Sequence, residues 1–501
     1  MSSIISTLSE EDRERLIREL SDLLGADHVI TDAGEIKAAS LDSRRRRQGE
    51  ALALLRPGTP EEVAAILRFA ANNHLVVIPQ GGNTSTVGGA TPNPESPLNA
   101  RTLILQLSRM NRILAIDAVN STMTVEAGAV LERVQAAAKE AGKLFPVSFA
   151  AQGTAQIGGM LAANAGGVHV VCYGMARRNC LGIEVVLADG RILNLMRSVR
   201  KDNASYDLRD LFIGSEGTLG VITKAVLDLS ALPAGRITVF ASLGELRAVE
   251  KLFTTLEDFA GPSLTAFELI SKPALEPVIA AGRKAPIEPS DWMVLFDLSY
   301  TKREDPEAFA ESLTDALSPL FEDGTLTDAA IAQTETQAEA LWTLREEIPT
   351  AVRASGGNIK NDISVPRGSL CAFIEETYAR FEKEAPWLLP MIFGHYGDGN
   401  LHFNLGNKPE LGPGYWKAHE REIHRLVNDE VVRFGGSVAA EHGVGAKIQV
   451  LERTKDPLEL ELMKKLRGVF DPEGILNPGR VVRYPENVWQ NPKEALSLIH
   501  I

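Results

Sequence analysis

The stretch QGGNTSTVGGATP, residues 80–92, directly follows the apolar run LVVIP at residues 75–79. The apolar run predicts a buried strand, and loops at the carboxyl ends of strands are where α/β folds bind ligands. Glycines leave backbone N–H groups open to a phosphate, and polar side chains between them add donors. These features belong to Gly81, Gly82, Asn83, Thr84, Ser85, Gly88 and Gly89. The alternative is a glycine-rich surface loop that binds nothing.

The loop matches neither the GxGxxG dinucleotide fingerprint nor the P-loop pattern, so a nicotinamide Rossmann fold or an ATPase is not supported. Two further glycine-dense stretches are GTAQIGGMLAANAGG at 153–167 and GSEGTLGVIT at 214–223. Three such stretches in one half of the chain indicate one extended ligand with several polar sections. A dinucleotide is such a ligand.

Strand and helix patterns alternate around these loops. Thr59 can cap a helix that has Pro60 at its first position and runs to about Asn73. Further patterns predict a helix at 8–24, a strand and turn at 51–59, strands at 102–107, 113–117 and 123–128, a helix at 130–141, and a hairpin with an Asp-Gly turn at 180–193.

The composition changes after residue 236, where strands alternate with longer helical patterns. We predict a strand at 292–300 and helices at 304–317, 329–353 and 413–434. This half of the chain is therefore expected to form a second α+β domain. The proposed divisions of the whole chain are 1–49, 50–232, 233–435 and 436–501.

The formal net charge of −14 argues against nucleic acid or an anionic membrane as the main partner. The basic run at 44–47 is either a solvated loop or, if it lies near a site, an attractor of anions. The three cysteines form no CxxC pair, which indicates a reducing compartment. We find no signal peptide and no apolar run of about 18–20 residues that could span a bilayer. A cytoplasmic location is expected, and peripheral membrane contact stays open.

Two histidines flank a turn sequence in FGHYGDGNLHFNL, residues 393–405. His395 and His402 are seven residues apart, so a flat strand would point them to opposite faces. The GDGN sequence between them supplies a bend that can bring both rings to one point. Glu441 and His442 lie beside glycines in SVAAEHGVGAK, and two imidazoles with a carboxylate suit zinc or a similar divalent ion. The alternative is a set of histidines in the core or in loops.

Several motifs together resemble the vanillyl-alcohol-oxidase type FAD flavoproteins that carry a C-terminal FAD-linked oxidase domain. The motifs follow the family order from about residue 50 to 480, and they are PQGGNTSTVGG, QGTAQIGGMLAANAGG, YGMARRNCLGIEVVLADGRIL, DLFIGSEGTLGVIT, GHYGDGNLHFN, AEHGVGAK and DPEGILNPGR. The resemblance implies an α+β fold. A helical segment at 1–49 would precede a two-part FAD-binding domain of the PCMH type at 50–232. An α+β cap domain with an antiparallel sheet would span 233–435, and 436–501 would return to the flavin.

The resemblance also implies residues that contact FAD. The pyrophosphate would lie against Pro79, Gly81, Gly82, Asn83, Thr84, Ser85, Gly88 and Gly89, and the flavin against Gly153, Gly158, Gly159, Asn164, Gly167, Gly220, Ile222 and Asn477. Some relatives attach FAD covalently through a histidine in the first glycine loop. That position is Asn83 here, so non-covalent FAD is expected.

The metal-dependent branch of this family implies roles for the histidine motifs. His395, His402 and Glu441 would bind a divalent metal, with Zn²⁺ expected and Mn²⁺, Co²⁺ or Fe²⁺ as alternatives. His442 would be the catalytic base and contact the substrate, as would Asn400. A metal that lowers the pKa of a coordinated hydroxyl, a base that takes its proton and a flavin that accepts hydride together suit oxidation of a 2-hydroxy acid.

Two cations are candidates for anchoring the substrate. Arg345 lies on a predicted helix and Lys360 on a predicted strand, and either could instead be an ordinary exposed charge. The segment NIKNDISVP resembles the D-2-hydroxyglutarate dehydrogenase branch, which implies that both residues bind substrate carboxylate. Relatives often have Ser or Thr four residues after this arginine, where this chain has Pro349.

The expected function is FAD- and metal-dependent oxidation of a D-2-hydroxy acid to the 2-oxo acid, with D-2-hydroxyglutarate first and D-malate or D-lactate behind it. An electron-transfer flavoprotein or a quinone is the expected acceptor, and a homodimer stays open. One alternative is a flavin-dependent transferase that performs no net oxidation. Another is an FAD-binding subunit, such as one of a glycolate or D-lactate oxidase complex, that passes electrons within the complex.

Overall fold

A computed structural model describes residues 8–96 and 98–483. The parts of the proposed end segments at 1–7 and 484–501 lie outside the described residues. The first sheet has four strands in the order β1-β2-β4-β3, and β4 runs parallel to both of its neighbours. Its elements are α1 (Glu10–Leu24), β1 (Val29–Ile30), α2 (Ala33–Ser40), β2 (Ala53–Leu55), α3 (Pro60–Asn72), β3 (Val76–Gln80) and β4 (Thr102–Gln106). Thr59 caps α3 by accepting the Glu62 N–H at 3.1 Å, as predicted.

A second, antiparallel sheet follows, in the order β5-β6-β10-β8-β9. Its strands and the short pair beside it are β5 (Ile113–Asp117), β6 (Thr122–Glu126), β7 (Lys143–Leu144), β8 (Cys180–Val186), β9 (Ile192–Leu195), β10 (Val221–Asp228) and β11 (Ser230–Ala231). The helices of this part are α4 (Leu131–Glu140), α5 (Ile157–Ala163), α6 (Val170–Tyr173) and α7 (Arg209–Phe212). One continuous apolar core joins the two sheets, so we call residues 8–231 the N-terminal half.

The C-terminal half is built on a seven-stranded antiparallel sheet in the order β15-β12-β14-β13-β17-β18-β16. Its strands are β12 (Gly235–Leu243), β13 (Leu264–Ser271), β14 (Trp292–Tyr300), β15 (Leu326–Ile331), β16 (Asp362–Ser364), β17 (Leu388–Gly394) and β18 (Asn400–Asn407). Its helices are α8 (Ala248–Ala260), α9 (Lys272–Ala280), α10 (Pro306–Glu322), α11 (Glu335–Glu346), α12 (Ile348–Ala354), α13 (Leu370–Glu384) and α14 (Glu420–Arg433). The expected α+β cap with an antiparallel sheet is confirmed.

Two of the predicted helices in this half have different bounds. The helix predicted at 329–353 begins only at Glu335, because the residues before it form β15 and pair with β12. Pairing along a sheet edge outweighs the weak helical preference of this segment. The helix predicted at 413–434 begins at Glu420, after a 3₁₀ turn over Tyr415–His419.

The last described segment returns to the glycine loop. After α15 (Ile448–Thr454) and α16 (Pro457–Phe470), the chain bridges β3 through the Val77 N–H to the Ile475 carbonyl and the Asn477 N–H to the Val77 carbonyl, at 2.7 and 2.8 Å. Arg480 is buried and donates to the carbonyls of Gly88 and Thr91, both at 2.7 Å. These contacts fix the C-terminal segment against β3 and the glycine loop that follows it.

None of the helices within the described ranges combines the length and the apolar character that a bilayer crossing requires.

Candidate active site

The glycine loop after β3 offers a run of free backbone donors. Among the described residues, the N–H groups of residues 81–85 have no hydrogen-bond partner. Consecutive N–H groups at the end of a strand form a concave anion site, so this loop fits a pyrophosphate. The helix α5 lies opposite, with the Cα of Gly81 3.9 Å from the position that a Cβ on Gly159 would occupy.

Two glycines in this region are required by close backbone approaches. A Cβ on Gly82 would lie 1.9 Å from the carbonyl oxygen of Thr154, and one on Gly167 would lie 1.9 Å from that of Ser148. Gly167 also has a φ of +148°, which favours glycine. The Gly82 contact brings the first and second glycine-rich stretches together, as the predicted shared ligand requires.

Other predicted flavin residues have structural partners. Asn83 and Asn164 have left-handed backbones, and their side chains bond the Leu41 carbonyl and the Arg177 N–H, both at 2.9 Å. Gly158 and Gly220 allow close packing, because a Cβ there would lie 2.7 Å from Ala127 Cβ and 2.4 Å from Val185 Cγ1. All the predicted contacts with FAD stay predictions, including those of Pro79, Thr84, Ser85, Gly88, Gly89, Gly153 and Ile222.

Several buried polar atoms around these stretches have no hydrogen-bond partner in the described part of the chain. They are Asn83 Oδ1, Thr86 Oγ1, Gln156 Oε1 and Asn477 Oδ1. Leaving buried polar atoms unpaired is costly, so their concentration near the glycine loops fits a polar ligand such as FAD. Asn477 is fixed by its own amide, which donates to the carbonyls of Gly89 and Glu216 at 2.8 Å each.

A cavity of about 2470 Å³ extends from this region to the predicted histidine site. Residues of both halves and of the C-terminal segment line it. Gly167 is the predicted flavin residue in its wall, and His395, His402, Glu441, His442, Arg345 and Lys360 also line it. The structure therefore brings the predicted metal ligands, base and substrate cations into one cavity.

The turn between β17 and β18 brings the two histidine rings together. The chain makes a 3₁₀ turn over Tyr396–Asp398 and reverses at Gly399, whose φ is +87°. A Cβ on Gly399 would lie 2.6 Å from the Val365 carbonyl oxygen, so only glycine fits this reversal. The ring centroids of His395 and His402 are 5.4 Å apart, which confirms the prediction that a bend joins them.

Glu441 completes a compact set of donor atoms. One nitrogen of His395, one of His402 and one carboxylate oxygen of Glu441 all lie within 4.8 Å of one another. Burial and the positive charge of Arg345 lower the pKa of His402 to about 3, which leaves a neutral imidazole that can bind a metal. Two nitrogens and a carboxylate oxygen fit a divalent ion such as zinc.

A buried carboxylate on β13 orients the first of these ligands. Glu268 is fully buried, and one of its oxygens bonds His395 Nδ1 while the other accepts Arg345 Nε at 2.5 Å. Burial would raise the pKa of Glu268, but the charges of Arg345 and His395 outweigh it and lower that pKa. With Nδ1 held in this way, His395 Nε2 points to Glu441 Oε1 at 3.4 Å. A carboxylate behind a histidine is the usual support of a metal ligand.

The predicted base is held by a second carboxylate, that of Asp362. His442 Nδ1 lies 2.7 Å from Asp362 Oδ2, which also accepts the N–H groups of Glu441 and His442 at 3.0 and 3.1 Å. Burial opposes the charged form of His442, but Asp362 outweighs it and raises the pKa of His442. Because Asp362 holds Nδ1, His442 Nε2 is the atom that can accept a proton.

The structure gives Asn400 a different place from the predicted substrate contact. Its amide donates to Asp362 Oδ1 at 3.0 Å and to the Ile363 carbonyl at 2.8 Å, and the residue is buried outside the cavity wall. Asn404, two residues beyond His402 on the same face of β18, lines the cavity instead. A strand alternates its faces, so both asparagines fit the pattern equally and the sequence could not choose between them.

Arg345 also has a more structural position than predicted. It is buried on α11, and its Nε is bonded to Glu268, behind the ligand His395. Sequence reasoning missed both Glu268 and Asp362. The available signals were a single acid in the apolar strand LTAFELIS and an acid two residues after Lys360 in an extended segment.

The two halves meet at the loop that follows His442. Glu216, from the third glycine-rich stretch, is half-buried and accepts the N–H groups of Val444 and Gly445 at 2.8 and 2.9 Å. A Cβ on Gly443 would lie 2.7 Å from the same carboxylate, so the loop packs directly on Glu216. This contact sets the position of Glu441 and His442 relative to the flavin half.

Comparisons with known proteins agree with this arrangement. Residues 51–196 match the family described as "FAD binding domain", and residues 232–481 match "FAD linked oxidases, C-terminal domain". The chain belongs to the FAD-linked oxidase family. It is therefore a flavin-dependent oxidoreductase that binds FAD, and the predicted family resemblance is confirmed.

Two curated relatives span nearly the whole chain. D-2-hydroxyglutarate dehydrogenase, mitochondrial, of Bos taurus is 36% identical over 479 residues, which are 95% of this chain and 84% of that protein. D-2-hydroxyglutarate dehydrogenase of Xanthomonas citri pv. viticola is 36% identical over 468 residues, 93% of this chain and 96% of that protein.

Solved structures show the fold at lower identity. A p-cresol methylhydroxylase with bound substrate has a TM-score of 0.71 at 16% identity and covers 95% of this chain and 98% of its own. An alkyldihydroxyacetonephosphate synthase has a TM-score of 0.69 at 17% identity and covers 93% and 84%. Both carry the architecture expected for vanillyl-alcohol-oxidase type flavoproteins, which confirms the predicted fold class.

The contact of Glu216 with the loop generates a first test. Glu216→Gln replaces one acceptor oxygen with an NH₂ group that meets a backbone N–H, so the loop should shift. A displacement of about 1 Å near reacting groups can cost about 100-fold in rate, so we expect kcat to fall by about 10- to 100-fold. FAD content, measured by absorbance after gel filtration, should stay within a few per cent of wild type.

Glu140→Gln is the matched control, because Glu140 is an exposed acid on α4 in the same half. It should leave kcat unchanged. A Glu216→Gln enzyme with normal kcat would show that this carboxylate does not position the loop.

Proposed function

We propose that this flavoenzyme oxidises a D-2-hydroxy acid to the 2-oxo acid and uses a divalent metal to do so. The observation that carries the proposal is the His442–Asp362 pair beside the donor set of His395, His402 and Glu441. A base and a cation site around one cavity are what removal of a hydroxyl proton requires. The D-2-hydroxyglutarate dehydrogenases that cover nearly the whole chain support the same reaction class.

Each cofactor has residues that would hold it. FAD would lie against the glycine loop at 80–89 and the stretch at 153–167, and the metal would bind His395, His402 and Glu441. When bound, FAD accepts a hydride and the metal stabilises negative charge on the substrate oxygen. The carboxylates of Glu268 and Glu441 supply the negative surroundings that a cation needs.

The chain's own groups then move the proton. His442 Nε2 would take the hydroxyl proton of the substrate, and FAD, when bound, would supply the acceptor for the hydride from the carbon that carries this hydroxyl group. Asp362 keeps the Nδ1 proton in place and stabilises the imidazolium that forms, through the 2.7 Å contact. The backbone bonds from Glu441 and His442 to the same carboxylate keep base and metal ligand in a fixed relation.

The spacing along the sheet supports a dicarboxylic substrate. Hydrogen bonds to β18 continue from β16 back to Ile359, so Lys360 and Asp362 share one strand face. Because they are two residues apart on an extended strand, the Cα atoms of Lys360 and Asp362 are about 7 Å from each other. An acid bound at His442 would therefore reach Lys360 with a second carboxylate, which ranks D-2-hydroxyglutarate above D-malate and D-lactate. An electron-transfer flavoprotein or a quinone is the proposed electron acceptor.

The base assignment has a direct test. His442→Ala removes the proton acceptor, and general bases contribute about 10²- to 10⁴-fold, so kcat for D-2-hydroxyglutarate should fall by that factor. FAD content should not change, because His442 belongs to the C-terminal half. Steady-state assays with an artificial electron acceptor measure the rate.

His424→Gln is the control in the same cavity. His424 lines the cavity, and its Nδ1 lies 2.7 Å from Asn361 Oδ1. The side-chain amide of a glutamine can form the same hydrogen bond. This variant should retain most of the wild-type rate. If His442→Ala were as active as His424→Gln, another group would have to be the base.

The metal proposal has a test that does not depend on turnover. Glu268→Gln removes the negative charge behind His395, and loss of such support weakens metal binding by about 10- to 100-fold. We expect the metal content, measured by elemental analysis after dialysis against a weak chelator, to fall from one ion per chain towards none. Glu257→Gln, an exposed acid on α8, should keep its metal. A wild-type protein that holds no divalent ion would exclude the metal-dependent reaction.

A further inference from the structure

Many cations line the active-site cavity, and we call three of them the cation cluster: Arg44, Arg353 and Lys360. The whole chain has a net charge of −14, so a local concentration of positive charge in this cavity runs against its composition. The sequence left open whether the basic run at 44–47 is a solvated loop or attracts an anion. Arg44, Arg46 and Arg47 lie in the cavity wall.

The cation cluster has no direct anionic partner. Over residues 8–96 and 98–483, the side chains of Arg44, Arg353 and Lys360 form neither a hydrogen bond nor an ion pair with the protein. Burial, together with the charges of Arg44 and Arg353, lowers the pKa of Lys360 to about 8. Like charges held together in a cavity repel one another, and a bound anion removes that repulsion.

The guanidinium of Arg345 is already engaged on one side by a buried acid. Its Nε is bound to Glu268, and Pro349, four residues later, offers no side-chain donor. Pro349 and Arg353 are four residues apart on the following helix, α12, so they share one face of that helix. Both residues line the cavity, and Arg353, although partly open to solvent, offers a positive charge on the face where Pro349 offers none.

The position of Arg44 is fixed by the N-terminal half. Asp42 is buried and accepts the N–H groups of Arg46 and Arg47 at 2.7 and 3.1 Å, which shapes the loop around Arg44. The Ser43 hydroxyl donates to the Ser85 carbonyl at 2.7 Å and ties this loop to the glycine loop. The cation cluster is therefore assembled from both halves of the molecule.

The register of the sheet sets the distance between the cluster and the base. Lys360 lies two residues before Asp362 on an extended strand, about 7 Å away, and opposite Asn404. A short carbon chain with its hydroxyl group at His442 would place its far end at the cation cluster. Its length suits an acid with a carboxylate at each end.

We propose that Arg44 and Arg353, with Lys360, bind the distal carboxylate of the substrate and make the enzyme selective for D-2-hydroxy dicarboxylates. This inference rests on the proposed function and adds two specificity residues to it. Arg44 and Arg353 do not touch the reacting atoms, so they act on substrate affinity and leave the chemical step to His442.

The test compares two substrates that differ only at the far end. D-2-hydroxyglutarate has the distal carboxylate, and D-2-hydroxypentanoate has a methyl group in its place. Arg44→Gln and Arg353→Gln should each lower kcat/KM for the dicarboxylate by about 10- to 100-fold, mainly through KM, because a hydrogen bond to a charged group is lost. Values for the monocarboxylate should stay within about twofold of wild type.

Arg45→Gln is the matched control. Arg45 belongs to the same basic run but is exposed and outside the cavity wall. This variant should leave both substrates within about twofold of wild type. If Arg44→Gln and Arg353→Gln affect neither substrate, or affect both equally, the distal site is not formed by these residues.

Binding of glutarate separates this proposal from the proposed function. Glutarate has two carboxylates and no hydroxyl group, so calorimetry on the FAD-loaded enzyme measures the site without turnover. We expect each variant to weaken its Kd by about tenfold or more. If no D-2-hydroxy acid is oxidised but glutarate binds and depends on Arg44, the function fails and the site stands. If D-2-hydroxyglutarate is oxidised but glutarate binding is unaffected by both variants, the site fails and the function stands.

Discussion

The active site depends on the Asp362 carboxylate more than on any other single group. Its two oxygens accept bonds from the His442 ring, the backbone of Glu441 and His442, and the Asn400 amide. One acid thereby joins β16, β18 and the loop that carries both a metal ligand and the base. If this carboxylate were removed, the base His442 and the metal ligand Glu441 would both lose the contact that fixes their positions.

Two further carboxylates, those of Glu268 and Glu216, support groups that line the cavity. Glu268 lies behind His395 and is neutralised by Arg345, so a carboxylate can be fully buried and still orient a ligand. Glu216 plays a similar part between the halves, where it holds the loop after His442 by two backbone bonds. Each of these acids fixes the position of a group that lines the cavity.

Much of the fold could be predicted because it follows local rules. The Thr59 cap, the strand before the glycine loop and the bend between His395 and His402 all depend on neighbouring residues. The end of β15, from residue 329 onwards, was predicted as helix because its partner strand, β12, lies far away in the sequence. Glu268 escaped notice for the same reason, since it meets His395 across 127 residues.

The strand pattern could not predict which asparagine of β18 lines the cavity. Asn400 and Asn404 lie on the same side of β18, and only the packing of Asp362 shows that the first is covered while the second lines the cavity. Arg345 shows the same limit, because a cation on a helix can bind a substrate or a buried acid. Sequence patterns identify such residues as important but do not assign their partner.

The central claim is that a D-2-hydroxy acid reduces the flavin in a metal-dependent way. The most direct measurement is the flavin absorbance after anaerobic mixing of the holoenzyme with D-2-hydroxyglutarate or its L-enantiomer. The account predicts bleaching by the D-acid only, loss of bleaching after chelation, and its return when a divalent metal is added. Bleaching that ignores the chelator, or equal bleaching by both enantiomers, would contradict the account.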